Sequence, residues 1–590
     1  MASTAKAAEP APVEETPFER EAAGAVSSPA FRALLADHWR ATLEADPLLA
    51  THLGVHEWDD AIPDASLVSV SASRGRNEAF LARAKALQAA EMSEADVTTL
   101  ALFVEGLESE LAGLACRYRE WSISPRGNPV TEWSYLPELH QVASLEDLRN
   151  LVARYRGIAG SISDEIAALS SGAADGLYAN RESVQRVVTM VEQQLEQPTE
   201  EWPLYAPARA SYEGLEPDEV ETLKSALAEI VVREIRPALV RYGTFLEEQI
   251  LPHARASDAT GLSALPLGED CYAAQIRAFT TLDLDAKTIH ETGLAEAARI
   301  DAEMQALGEK LFGILDRAEV LAHLRKDPAL HFDTAEAVEQ KAESALAKAK
   351  AALPKWFGRL PKADCVVRRI PDYEAPFTTV AYYRQPNPDG SKPGEYFVNV
   401  YQPKTRPRYE AEALAFHESI PGHHVQIAIA QEMTALPAFR KYLGMTVFVE
   451  GWALYAEQLS DEMGLYSSDL DRMGMLSYEA WRAARLVVDT GIHAFGWSRE
   501  QAKAFMREHT ALAENNIDNE VDRYIVWPGQ ALAYKTGQLE IWRLRRAAEA
   551  ALGEAFDIKA FHDAVLGGGA VTLSVLREQV EAFERASRAQ

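Results

Sequence analysis

The chain has 590 residues, 89 of them acidic and 59 basic, and its formal net charge of −30 argues against nucleic acid or an anionic membrane as a partner. Its 47% hydrophobic content permits a large buried core, and no stretch approaches the roughly 18 apolar residues that a membrane span needs. Cys116, Cys271 and Cys365 are odd in number and widely spaced, so no disulfide framework or zinc knuckle follows from them and they read as buried apolar residues.

Residues 1–25 read as a disordered tail, rich in Ala, Pro and Glu and without an apolar core for export. As written, the chain is expected in the cytoplasm; a removed leader would place it in the periplasm or outside the cell. From Ser28 the pattern turns helical, with Phe31, Leu34, Leu35 and Trp39 at three- and four-residue spacing. Amphipathic helices follow over 75–120, 145–166, 184–195 and 215–251. Residues 261–281 form a loop-rich insert around Pro266, Gly268 and Tyr272, and 284–352 return to helices rich in Ala, Glu and Leu.

The texture changes near residue 365. Val366–Ile370, Thr378–Tyr383 and Glu395–Val400 are β-branched and aromatic, and Pro386-Asn387-Pro388-Asp389-Gly390 between them is turn chemistry. They predict a small antiparallel sheet. Phe397 and Asn399 are the candidates for an edge that hydrogen-bonds an extended peptide.

Just beyond stands Phe416-His417-Glu418-Ser419-Ile420-Pro421-Gly422-His423-His424, between apolar runs that read as one helix. Zinc peptidases place His-Glu-x-x-His on a helix, two His binding the metal and the Glu serving as general base. Here two residues are inserted. In an ideal helix His423 would lie about 240° round from His417, and His424 about 10.5 Å along the axis. A bulge at Pro421-Gly422 would absorb the insertion and bring His423 back to the metal, with His424 as the alternate ligand. Glu450, 27 residues after His423 in Glu450-Gly451-Trp452-Ala453-x-Tyr455, is the natural third ligand.

Taken together, His417-Glu418-x-x-Pro421-Gly422-His423-His424 and Glu450-Gly451-Trp452-Ala453-x-Tyr455 resemble the bacterial family catalogued as domain of unknown function 885. That family looks like a remote relative of the helical zinc peptidases, which include angiotensin-converting enzyme and thimet oligopeptidase. The resemblance implies a third ligand from a Glu on the next helix, and an oxyanion donor, Tyr or His, from the chain beyond it. Tyr524 and Tyr534 are of that type. It also implies export for some members.

Two further stretches carry candidates. Asp489 and His493 are four apart on one helix face, a satisfied pair or, alternatively, an active-site donor in His493. Arg523, Gln530 and Lys535 are candidates for binding a substrate terminus.

These features give a mainly α-helical expectation: two helical lobes, about 26–260 and 261–590, around a deep cleft. The expected chemistry is zinc-dependent hydrolysis of short peptides. His417, His423 and Glu450 would hold Zn²⁺ and Glu418 would act as base. A metal-dependent amidase or esterase on a non-peptide metabolite is one alternative. A non-catalytic scaffold with structural zinc is the other; Glu418, dispensable for metal binding alone, argues against it.

Overall fold

The structure, a computed structural model, describes residues 16–371, 375, 379–387, 392–442 and 444–589. The expected tail is helical where it is described. Pro17–Ala23 (α1) starts on Thr16, whose side chain accepts from the Glu19 amide while Glu19 reaches back to the Thr16 amide. Its Ala22 and Ala23 are buried. Residues 1–15 of that tail lie outside the described residues. Pro29–Ala45 (α2) follows, and its Trp39 stacks on Tyr442 at 6.0 Å, tying the N-terminus to the short helix Ala438–Tyr442.

Later principal helices are Glu94–Gly113 (α3), Gly268–Thr280 (α4) and Ala286–Phe312 (α5). Between α3 and α4, a separate apolar cluster gathers Trp133, Tyr155, Ile230 and Tyr242. Cys116, just past α3, is bonded to Cys271 in α4. The reading of all three cysteines as free is thereby corrected: only Cys365 is free and buried. The two partners stand 155 residues apart, a spacing that carries no local signal.

Three strands come next: Cys365–Arg369 (β1), Ala381–Arg384 (β2) and Gly394–Val398 (β3). Their order is β1-β3-β2. β1 runs parallel to β3 with Cys365 opposite Gly394, and β2 runs antiparallel with Ala381 opposite Val398. The sheet is therefore mixed, not antiparallel. β-branched composition marks each strand, but the choice of partner lies in the connections, and the last strand inserts between the first two. Thr378 and the turn residues Pro388, Asp389 and Gly390 lie outside the described residues.

The C-terminal half is built on helices Ala411–Glu418 (α6), His423–Gln431 (α7), Thr446–Glu462 (α8), Asp469–His493 (α9), Glu514–Val526 (α10) and Leu532–Leu552 (α11). From Met473 to His493, α9 is buried throughout except at Trp481. α5 packs along one side of it and α6 and α11 on others. α8 crosses α11 so closely that a Cβ on Gly451 would lie 2.5 Å from the Gly537 Cα, and one on Gly537 2.0 Å from the Val447 carbonyl oxygen. A single apolar cluster joins the sheet (Cys365, Ala381, Tyr396), α6 (Phe416) and α8 (Trp452, Tyr455). The metal-type motif thus sits on elements that share one core.

The disulfide closes a long loop of the unfolded chain, which is worth about 2–4 kcal/mol in ordinary cases. The double variant Cys116→Ala/Cys271→Ala is therefore expected to be less stable by about that amount and to unfold at lower urea concentration. Reductant should lower the wild-type midpoint and leave the double variant's unchanged.

Candidate metal centre

The expected single bulged helix is two helices. α6 ends at Glu418 and α7 begins at His423, and Ser419 to Gly422 lie between them with a cis Ile420–Pro421 bond. The insertion is therefore absorbed by a break and not by a bulge. Gly422 is demanded by close approach, because a Cβ there would lie 2.0 Å from the His417 carbonyl oxygen and 2.4 Å from that of Phe416. Two contacts fix the break. The His424 amide donates to the Ser419 carbonyl at 3.0 Å, and the Trp452 indole of α8 donates to the Pro421 carbonyl at 3.0 Å. Gly451 lets α8 approach α11, and the next residue, Trp452, holds the break.

The break turns His423 toward His417. The Nε2 atoms of His417 and His423 lie 3.5 and 3.6 Å from Oε2 of Glu450, and one ligand atom from each residue falls within 4.8 Å of the others. Glu450 Oε2 is buried without a hydrogen-bond partner. Two ligands about 2.1 Å from one ion at a tetrahedral angle stand about 3.4 Å apart. The observed separations fit that edge, and three acceptors converging on one point fit a cation. Two imidazoles and a carboxylate are a donor set that suits zinc.

Behind the ligands stands a residue that sequence reasoning missed. Glu457, buried and one heptad after Glu450 on the same face of α8, accepts from His417 Nδ1 at 2.7 Å. That bond leaves the lone pair on Nε2, facing Glu450. Buried Arg482 of α9 approaches Glu457 at 3.5 Å. The Glu450–Glu457 spacing was the available signal, since residues seven apart lie on one helix face. His423 has no such support, and its Nδ1 is buried without a partner.

Burial is the largest influence on each of these groups. For His417 it is outweighed by the neighbouring Glu450 and Glu457 carboxylates, which raise its pKa to about 9. For Glu450 it is outweighed by the two histidines, which lower it to about 2. Glu418, half-buried at the end of α6, is raised to about 7 by burial and then by Glu450 and Glu457, against the pull of His417 and Arg482. Burial first, then the charges of His417 and Arg482, hold His423 down at about 4 against the pull of Glu450.

The family profile described as bacterial protein of unknown function, DUF885, matches residues 47–580. The chain is a DUF885 protein. A solved structure from Colwellia psychrerythraea, named a candidate lipoprotein, is 26% identical, with a TM-score of 0.86 over 94% of this chain and 99% of that one. A second, a candidate lipoprotein of unknown function from Shewanella oneidensis, is 19% identical, with a TM-score of 0.71 over the same shares, and shows the fold alone. No curated protein matches the chain.

In this DUF885 protein the other expected residues divide sharply. His424 is not in the cluster: its Nδ1 meets the Tyr383 hydroxyl at 2.9 Å and its Nε2 the Ala363 carbonyl at 3.0 Å. Phe397 and Asn399 are not on an edge. β3 is paired on both sides, Phe397 stacks on Tyr382, and the Asn399 amide is filled by Ala375, Thr379 and Tyr401 backbone groups. His493 is not a free donor. Its Nδ1 accepts from the Leu262 amide and its Nε2 donates to the Tyr524 carbonyl. Nor does it pair with Asp489, which instead accepts from Tyr272 at 2.6 Å and from the Gly529 amide.

Lys535 is also committed. All three of its protons are placed, on Glu479 at 2.7 Å, Gln538 at 2.8 Å and Glu296 at 2.9 Å, so it braces α5, α9 and α11. Tyr524 is buried and donates to Glu520 at 2.8 Å. Arg523 is held by Glu520 at 2.7 Å and by Gln530 at 2.6 Å. Tyr534 alone among these donates to no group among the described residues: its hydroxyl accepts from Gln530 at 3.3 Å, and it lies in the field of Glu450.

His423→Ala is expected to lose metal, while His424→Ala keeps it at near-full occupancy, as read by elemental analysis of the purified variants. Glu457→Gln should keep the ligands but weaken metal binding about 10- to 100-fold, since outer-shell partners are commonly worth that much; competition with a chelator measures it.

Proposed function

We propose that this DUF885 protein is a zinc-dependent hydrolase of short peptides, distantly related to the helical zinc peptidases. The observation that carries the reading is the convergence of His417, His423 and Glu450 on one point, with the Glu418 carboxylate directly following a ligand on α6. A zinc ion held there would polarise a carbonyl and acidify a water. Glu418 takes the proton of the attacking water and passes it to the leaving nitrogen. Tyr534, whose hydroxyl donates to no group among the described residues, donates to the developing oxyanion; Tyr524 already donates its hydrogen bond to Glu520 and is the weaker candidate.

An extended peptide would add to β2, the edge strand nearest α6, since β3 is paired on both sides. The substrate would enter a cleft between two helical lobes, a shape that favours short peptides over folded proteins. The Cys116–Cys271 bond favours an oxidising compartment, and the Colwellia relative's name as a candidate lipoprotein agrees with it. We therefore place the protein outside the cytoplasm. No helix among the described residues is long and apolar enough to cross a membrane.

Glu418→Gln tests the mechanism. The variant should bind zinc like the wild type and lose about two to four orders of magnitude in kcat on a mixed peptide library, with products read by mass spectrometry. Near-normal turnover would remove Glu418 from the reaction and leave the metal a structural part.

A further inference from the structure

A second cavity, of about 180 Å³, lies where α2, α3, the end of α4 and the start of α8 meet. It is larger than the roughly 150 Å³ apolar cavity that takes a benzene ring. Phe103, Leu107, Phe439 and Met445 supply apolar walls, and the Phe103 and Phe439 rings meet edge to face at 5.5 Å. The hydrolysis proposed above uses none of these residues.

Three residues of the lining are not accounted for by packing. His38, on α2, is only 8% exposed, yet no described residue makes a hydrogen bond to its ring. Its ring contacts are those with Phe80 at 5.2 Å and Phe103 at 4.8 Å, both edge to face. Burial pushes its pKa down to about 4, so at neutral pH the ring is uncharged and keeps an acceptor nitrogen. A polar group so buried and left without a partner costs free energy.

Glu110, on α3, is exposed and lines the cavity, so it stands at the mouth. No cation among the described residues pairs with it; its bond comes from the neutral Asn77 amide at 2.8 Å. Its neighbour Glu105, by contrast, is neutralised by the Arg277 fork at 2.9 and 2.8 Å.

Gly106 lies inside the 20-residue α3, where glycine is a poor helix former. A Cβ there would meet no atom within 4 Å. No close approach demands this glycine, as one does at Gly422. Its missing side chain leaves the cavity open.

The chemistry selects the occupant. A neutral imidazole, an uncompensated carboxylate and two aromatic rings favour a cation and disfavour an anion. A metal ion is the wrong cation, because the one metal-type group among the described residues is His417, His423 and Glu450. We infer that this cavity binds a small organic ammonium with an apolar body about the size of a benzene ring. Its N–H groups donate to Glu110 and His38, and its body lies against Phe103 and Phe439. A free amino acid fits less well, since its own carboxylate would meet Glu110.

The test titrates benzylamine into the zinc-loaded full chain, with benzyl alcohol and benzoate as neutral and anionic probes of similar size. Binding is read by saturation-transfer NMR. The amine should bind saturably and about tenfold or more tightly than the alcohol, the worth of one or two charge-assisted hydrogen bonds, and benzoate should not bind. Glu110→Gln should bring the ratio of amine to alcohol near one. Gly106→Leu should fill the cavity and abolish binding of both, with an unchanged or higher melting temperature, because leucine is the better helix former. Absent amine binding would overturn the proposal, as would alcohol or benzoate binding as tightly as the amine. Wild-type amine binding by a folded Gly106→Leu protein would also overturn it and move the amine to another place, the metal centre included. Should Gly106→Leu fail to fold, Glu110→Gln, at an exposed position, decides alone: an undiminished preference for the amine sinks the site.

Discussion

A helix buried on every side cannot leave a charge unpaired, and Asp469–His493 carries Glu479, Arg482, Arg485, Asp489 and His493 through the centre of the protein. Each unpaired charge there would cost several kcal/mol. The neighbouring helices are arranged around meeting that demand. Lys535 comes from α11 to Glu479, Tyr272 from α4 to Asp489, Glu520 from α10 to Arg485, and Glu457 from α8 to Arg482. The last of these pairs is the one through which the central helix reaches the candidate metal centre, because Glu457 also holds His417.

The same demand separates structural from chemical residues. Polar groups whose capacity is filled inside the protein, such as Lys535, Asn399 and His493, serve the fold. Buried polar atoms without a partner also occur elsewhere, on Trp202, Arg440 and Gln579 for example, but Glu450 Oε2 and His423 Nδ1 belong to residues that converge on one point. Buried polar atoms are normally satisfied, and two exceptions within one carboxylate-and-imidazole cluster fit groups meant for a cation.

The break in the His-Glu helix shows how small residues set this geometry. A two-residue insertion would rotate the second histidine away from the first in a regular helix. Ser419 to Gly422 undo that rotation by ending one helix and starting another, and Gly422 lets the chain pass against the His417 carbonyl. The Trp452 indole then fastens the break to the helix that supplies Glu450. Glu450 and the fastening Trp452 therefore lie within one turn of a single helix, which keeps the distance between them fixed.

The sequence by itself determined the helical class, the three strand segments and the three converging ligand types, because each is written in local periodicity, composition or spacing. The convergence of His417, His423 and Glu450 was legible in that way, and so was the place of His423 and not His424 in the cluster, although the bulge offered for it was in fact a full break. Tertiary structure alone decided what rests on contacts between distant segments. The Cys116–Cys271 bond, the insertion of β3 between β1 and β2, and the burial of Asn399 and Lys535 all join residues whose separation in sequence carries no pattern. A residue's type states which bonds it can form; only the packed neighbours decide whether those bonds are already taken.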